Sequence, residues 1–144
     1  MRSVSRSSLV PYTAEQMYAL VDDIEAYPDF LPWCSGAEVL ERDAEQVVAS
    51  VEMKRAGFRK SFTTRNTLTP GESIELALVG GPFQQLAGRW QFDSLADGAG
   101  CKVSLSLEFE FENRALDALL GVFFEDTCNS MVDAFTGRAA EIYS

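Results

Sequence analysis

Val103-Ser104-Leu105-Ser106-Leu107-Glu108-Phe109-Glu110-Phe111-Glu112 alternates without interruption, apolar on one face and polar on the other. That period of two belongs to an antiparallel strand with one buried and one wet face. Directly after it the period becomes 3.6. Leu116, Leu119, Leu120, Phe123, Phe124, Cys128, Met131, Val132, Phe135 and Ile142 make a broad apolar stripe. The stripe predicts a helix over 115–142, roughly 40 Å long at 1.5 Å per residue. A strand of this kind followed by a helix of this length fixes the architecture: a sheet with one apolar face, and a helix long enough to cover it.

The same alternation runs back to Gly36. Val47, Ala49, Val51 and Met53 oppose Gln46, Ser50 and Glu52. Turn signals separate the runs at 42–45, Ala56-Gly57, Pro70-Gly71, Gly80-Gly81-Pro82 and Asp97-Gly98-Ala99-Gly100. Residues 3–10 read as a first strand ending at Pro11. Thr13-Ala14-Glu15-Gln16 is a capping box, and Met17, Leu20, Val21 and Ile24 behind it form one helical face that ends before Pro28. The count is seven strands, six of them consecutive after the first helix. The fold class is α+β: a seven-stranded curved antiparallel sheet around a long C-terminal helix, with a short helical insert after strand one. At 144 residues the chain reads as a single domain over 1–144, able to bury roughly 70% of its unfolded surface without metal or disulfide.

Composition narrows the chemistry. The chain has no histidine, which removes imidazole catalysis and His metal sites. Its 22 acidic and 12 basic residues give −10, a charge that opposes non-specific binding to nucleic acid, DNA included. Residues 1–65 hold 8 basic and 10 acidic side chains, and 66–144 hold 4 and 12, so contact with an anionic partner is expected from the first half. Cys34, Cys101 and Cys128 are widely spaced and odd in number, which predicts buried reduced thiols, no metal and a cytosolic setting. The opening Met1-Arg2-Ser3-Val4-Ser5-Arg6-Ser7-Ser8 has no apolar core of signal-peptide length, and no apolar run approaches ~20 residues. The expectation is a soluble intracellular protein.

Three segments carry the functional candidates. Tyr27-Pro28-Asp29-Phe30-Leu31-Pro32-Trp33-Cys34 sets aromatics between prolines, as either a plug for the core or the wall of an apolar cavity. Lys54, Arg55, Phe58, Arg59 and Lys60 gather four cations and an aromatic at one hairpin tip. A solvated turn is the default there. The alternatives are a dock for anionic lipid headgroups or for RNA phosphates. Gly88, inside a strand, predicts a close approach by the long helix or a ligand, while Thr64 and Asn66 share an inward face with Phe62 and Leu68 and need hydrogen-bond partners. No catalytic constellation stands out.

Val10-Pro11-Tyr12-Thr13-Ala14-Glu15-Gln16-Met17-Tyr18, Tyr27-Pro28 and Phe30-Leu31-Pro32-Trp33-Cys34 resemble the opening of one family. Phe62-Thr63-Thr64-Arg65-Asn66, Gly81-Pro82-Phe83, Leu86-Ala87-Gly88-Arg89-Trp90 and the Phe-rich last helix agree with it. It comprises the coenzyme Q-binding START-domain proteins and the bacterial RatA ribosome-association toxins, within the polyketide cyclase/dehydrase and lipid transport superfamily. The resemblance implies the helix-grip (START-like) fold with a hydrophobic cavity between sheet and helix. It implies no required cofactor, with ubiquinone or a related polyisoprenoid lipid as bound ligand in support of respiration. The ligand-binding candidates are Tyr27, Phe30, Leu31, Trp33, Met53, Phe62, Thr64, Asn66, Phe83, Trp90, Phe123, Phe124 and Met131. Donors to a quinone head are sought among Asn66, Thr64, Tyr27 and Trp90.

A quinone carrier, cytoplasmic and transiently at the inner membrane, is the first expectation. A toxin that binds the large ribosomal subunit and blocks subunit association comes second, because −10 opposes RNA. A polyketide-type cyclase is third, for want of paired acid–base groups. The first reading is of a protein that is not an enzyme.

Overall fold

The structure, a computed structural model, describes residues 1–55 and 57–143. The Ala56 half of the Ala56-Gly57 turn signal lies outside the described residues. Strand β1 (Arg2–Val10) leads into helix α1 (Ala14–Asp22) and a 3₁₀ turn (Ile24–Asp29). Six strands follow: β2 (Cys34–Arg42), β3 (Gln46–Arg55), β4 (Phe58–Thr69), β5 (Ser73–Gly80), β6 (Phe83–Ser94) and β7 (Cys101–Phe111). Helix α2 (Arg114–Tyr143) closes the described chain. The sheet order is β1-β7-β6-β5-β4-β3-β2, all neighbours antiparallel, so β1 returns to pair with β7 beside the hairpin meander. This is the seven-stranded helix-grip arrangement.

Local chemistry starts and stops the elements as their residues dictate. The Thr13 hydroxyl accepts from the Gln16 N–H at 3.1 Å, and the Gln16 side chain accepts from the Thr13 N–H at 2.9 Å, closing the capping box. The Asp43 carboxylate accepts from the N–H groups of Glu45 and Gln46, both at 2.8 Å, and this fixes the β2–β3 turn. Gly57, Gly71, Gly81 and Gly98 hold positive φ at the hairpin turns. Gly81 is the tightest: a Cβ there would lie 2.6 Å from Phe62 Cβ, so no other residue fits.

Three details differ from the sequence reading. First, α1 ends before Pro28 as expected, but at Asp22, so that Ile24 of the expected helical face lies with Pro28 in the 3₁₀ turn. A 3₁₀ turn lets Ile24 and Tyr27 reach the core where a further α turn meets the proline. Second, Leu119 and Ile142 of the apolar stripe are 54% and 50% exposed. The buried row is narrower, through Leu120, Phe124, Cys128, Val132, Phe135 and Ala139, and Leu119 is turned ~100° away from it. Third, the neighbour that crowds Gly88 is neither helix nor ligand. A Cβ there would stand 2.5 Å from Leu107 Cδ1 and 2.7 Å from the Ser106 carbonyl, both on β7.

The core forms two clusters. One gathers α1, the 3₁₀ turn, β3 and the far half of α2 around Phe135, whose ring stands edge-on to Tyr27, Phe30 and Trp90 at 5.1–5.4 Å. The other packs Phe83, Phe109, Phe111 and Phe124 with Leu120, Met53 and Val4. Phe83 stacks on Phe111 at 4.6 Å, and Phe124 meets Phe109 edge-on at 4.8 Å. No helix of the described residues is long and apolar enough to cross a membrane.

Candidate functional site: a cavity between two cores

The two clusters leave an apolar cavity where they fail to meet. Its walls take Val21, Ile24, Tyr27, Trp90 and Leu105 from the first cluster and Leu86, Leu107, Phe124 and Cys128 from the second. Trp33, Phe62 and Leu76 bridge the clusters along its side. The cavity measures about 90 Å³ and reaches solvent at its mouth, room for several waters or a compact ring system.

Eight of the thirteen candidate ligand residues line this space: Tyr27, Trp33, Phe62, Thr64, Asn66, Trp90, Phe124 and Met131. Five do not. Phe30 lies behind the wall, against Tyr27 and Phe135, with the Arg138 guanidinium 5.0 Å from its ring centroid. Leu31 is buried within the first cluster. Phe83 is consumed by the aromatic packing of the second. Met53 and Phe123 sit at the other end of α2, beside Leu120 and the β3–β4 tip. One residue of helix is a turn of ~100°, which carries Phe123 out of the cavity while Phe124 points in. Sequence reasoning missed the aliphatic wall (Ala49, Val51, Ile74, Leu76 among others) and Thr127. Inward strand alternation marks the aliphatic positions as core; nothing local marks them as cavity.

The polar groups of the wall differ in what they have left to offer. The Tyr27 hydroxyl donates to the Val21 carbonyl, and burial pushes its phenol upward, so it stays protonated and engaged. Burial pushes the Cys128 thiol up to about 12, with Glu125 adding to the rise. Thr64 Oγ1 donates to Asn66 Oδ1 at 2.7 Å, and both residues are buried. The lining contains no carboxylate, amine or guanidinium among the described residues. Such a wall can hold an uncharged apolar molecule and orient a polar atom on it; a base near neutrality is not among its parts.

Cys34 and Cys101 are likewise buried free thiols raised by desolvation. The cationic tip is more engaged than a bare turn. Arg59 lies 3.7 Å from Glu52, and the Arg55 guanidinium stands 4.9 Å from the Phe123 ring centroid. Phe58 is 38% exposed, Lys54 is exposed and Lys60 is half-buried.

The family described as polyketide cyclase / dehydrase and lipid transport matches residues 10–136. The chain is 51% identical over 143 residues to the ribosome association toxin RatA of Vibrio cholerae, covering 99% of each. It is 28% identical over 142 residues to the mitochondrial coenzyme Q-binding protein COQ10 homolog B of Xenopus laevis, covering 96% of this chain and 58% of that one. The crystal structure of the Zhui aromatase/cyclase from Streptomyces sp. R1128 superposes with a TM-score of 0.85. That alignment covers 99% of this chain and 96% of that one at 19% identity, a likeness of fold. A match over most of the chain, and a relative of equal length identical at 51% of aligned positions, make this chain a member of the polyketide cyclase / dehydrase and lipid transport family.

Proposed function

We propose that the chain is a ribosome-association factor that binds the large subunit and blocks its joining to the small one. The observation that carries this is the 51% identity, end to end, with a relative named for ribosome association, against 28% with the coenzyme Q-binding relative. The ranking drawn from sequence alone is thereby reversed. Net charge weighed against RNA there, but charge acts locally. Lys54, Arg55, Arg59 and Lys60 stand together at the end of the β3–β4 hairpin, where Lys54 pairs with Arg59 across the strands. Phosphate contacts need only such a patch within a Debye length of about 8 Å at physiological salt. Overproduction followed by sucrose-gradient profiles tests the proposal. Free subunits should accumulate at the expense of joined ribosomes, and Lys54→Glu/Lys60→Glu should restore the normal profile. An unchanged profile on overproduction contradicts it.

A second reading is supported by the cavity itself: it receives an apolar ligand, of which a quinone is one class. The apolar wall and the coenzyme Q-binding relative support it. A carrier of membrane lipid needs a membrane stop, and the same hairpin is the surface this chain offers for one. Native mass spectrometry of protein purified without detergent, with organic extraction, tests this reading. A bound lipid supports it, and an empty protein recovered from a quinone-rich cell contradicts it.

A further inference from the structure

We infer that the cavity takes a compact, uncharged apolar molecule bearing a carbonyl-type oxygen, and that Asn66 from the sheet and Thr127 from the helix recognise that oxygen. The inference rests on the second reading above and gives it a chemical class.

Asn66 is 6% exposed and Thr127 is 8% exposed, and both line the cavity. The carboxamide of Asn66 has one partner, Thr64 Oγ1. With Oδ1 accepting from Thr64, the amide N–H groups of Asn66 meet no protein partner among the described residues. The register explains why. Thr64 and Asn66 face Ala49 and Val47 on β3, and Leu78 and Leu76 on β5, so aliphatic side chains flank the pair on both sides.

Thr127 is unusual in another way. A helical threonine commonly bonds its hydroxyl back to the carbonyl four residues earlier. Thr136 of the same helix does so, donating to the Val132 carbonyl at 2.8 Å. Thr127 makes no such bond, and its hydroxyl has no partner among the described residues. Buried polar groups are rarely left unpaired in folded proteins. Two of them, one from the sheet and one from the helix, border the same apolar space and point to a ligand that carries an acceptor. A charged ligand is disfavoured, since no lining side chain offsets its desolvation.

The test uses 1-tetralone and tetralin, two molecules of the same fused-ring skeleton that differ by one carbonyl. Both are titrated into the ¹⁵N-labelled full chain and followed by NMR, including the side-chain amide of Asn66. The ketone should bind roughly fivefold more tightly than the hydrocarbon, the worth of one ordinary hydrogen bond. The ketone should shift the Asn66 side-chain amide further than tetralin does, because it adds a hydrogen bond to the ring-current effect the two share. Thr127→Val, an isosteric change, should reduce the preference, and Thr64→Val/Asn66→Leu should abolish it while tetralin still binds. Equal affinity for the two molecules in the wild type, with Asn66 shifted equally by both, overturns the assignment but leaves an apolar-ligand cavity standing. Failure of both molecules to bind overturns the cavity reading as well.

Discussion

Strands β7 and β4 belong to one sheet and present the same alternation to α2, yet they build opposite things. The inward face of β7 is Val103, Leu105, Leu107, Phe109 and Phe111, all buried, and its far end packs solidly with Phe83 and Phe124. The inward face of β4 runs Phe58, Lys60, Phe62, Thr64, Asn66 and Leu68. It starts at an exposed cationic tip and places a polar pair where β7 has only hydrocarbon. Helix α2 packs on β1 and β7, and the cavity between it and the sheet takes seven of its lining residues from β3–β5. Leu105 and Leu107 of β7 border the cavity as well, but only β4 brings polar side chains, Thr64 and Asn66, to it from the sheet. One strand, β4, therefore carries residues of both proposed surfaces, Arg59 and Lys60 of the cationic tip and Phe62, Thr64 and Asn66 of the cavity wall.

The sharpest way to break this contrast is truncation on the packed side. Phe109→Ala removes a ring with 0% exposure and should cost about 3–5 kcal/mol, read by urea unfolding. A loss below ~1 kcal/mol would mean that the β7 face is not the solid half. Next in size is Gly88→Ala, where the new methyl meets the Ser106 carbonyl of β7 at 2.7 Å. Overpacking against backbone should cost about 1–3 kcal/mol by the same measurement.

A smaller effect tests how β1 is tied to α2. The Arg2 guanidinium donates to both Asp117 oxygens at 2.9 and 3.0 Å, which holds that carboxyl below its usual range. A depressed carboxyl contributes stability above its unfolded value near 4, and loses that contribution as pH falls through its lower folded value. Because the Asp117 side chain is 44% exposed, solvent screening limits the pair to roughly 0.5–1 kcal/mol. Asp117→Asn should lower stability by that amount at pH 7 and by less at pH 2. An undiminished difference in acid would place the effect elsewhere.

The smallest change is expected on the cavity side. Thr64→Val/Asn66→Leu replaces both members of a buried polar pair with apolar groups of similar shape. It should leave stability within about 1 kcal/mol of the wild type or raise it. A loss of several kcal/mol would show that the pair is structural cement rather than a recognition device.

Much of this was legible in the chain. Strict alternation at 103–112, the capping box at Thr13 and the 3.6 period after Arg114 are local patterns, and local patterns decide elements. The inward faces of β3 and β7 followed from them, as did the placing of Thr64 and Asn66 beside Phe62 and Leu68. What lay beyond reach was non-local. Alternation says that Phe83 and Phe62 point inward; only the assembled sheet says that Phe83 is spent on Phe111 while Phe62 borders empty space. Phe123 and Phe124 are neighbours in the stripe, and helix phase relative to the sheet sends one to Arg55 and the other into the cavity. The free hydroxyl of Thr127 left no sequence signal, because threonine in a helix reads the same whether or not it bonds to its own backbone.

The most direct test of ribosome association is co-sedimentation of the purified protein with large ribosomal subunits, beside a parallel run with anionic phospholipid vesicles. The wild type should pellet with the subunits, the Lys54→Glu/Lys60→Glu variant should stay in the supernatant, and salt should weaken the wild type toward the variant. Equal pelleting of wild type and variant would remove the hairpin from the interface. Pelleting with vesicles but not with subunits would contradict ribosome association itself.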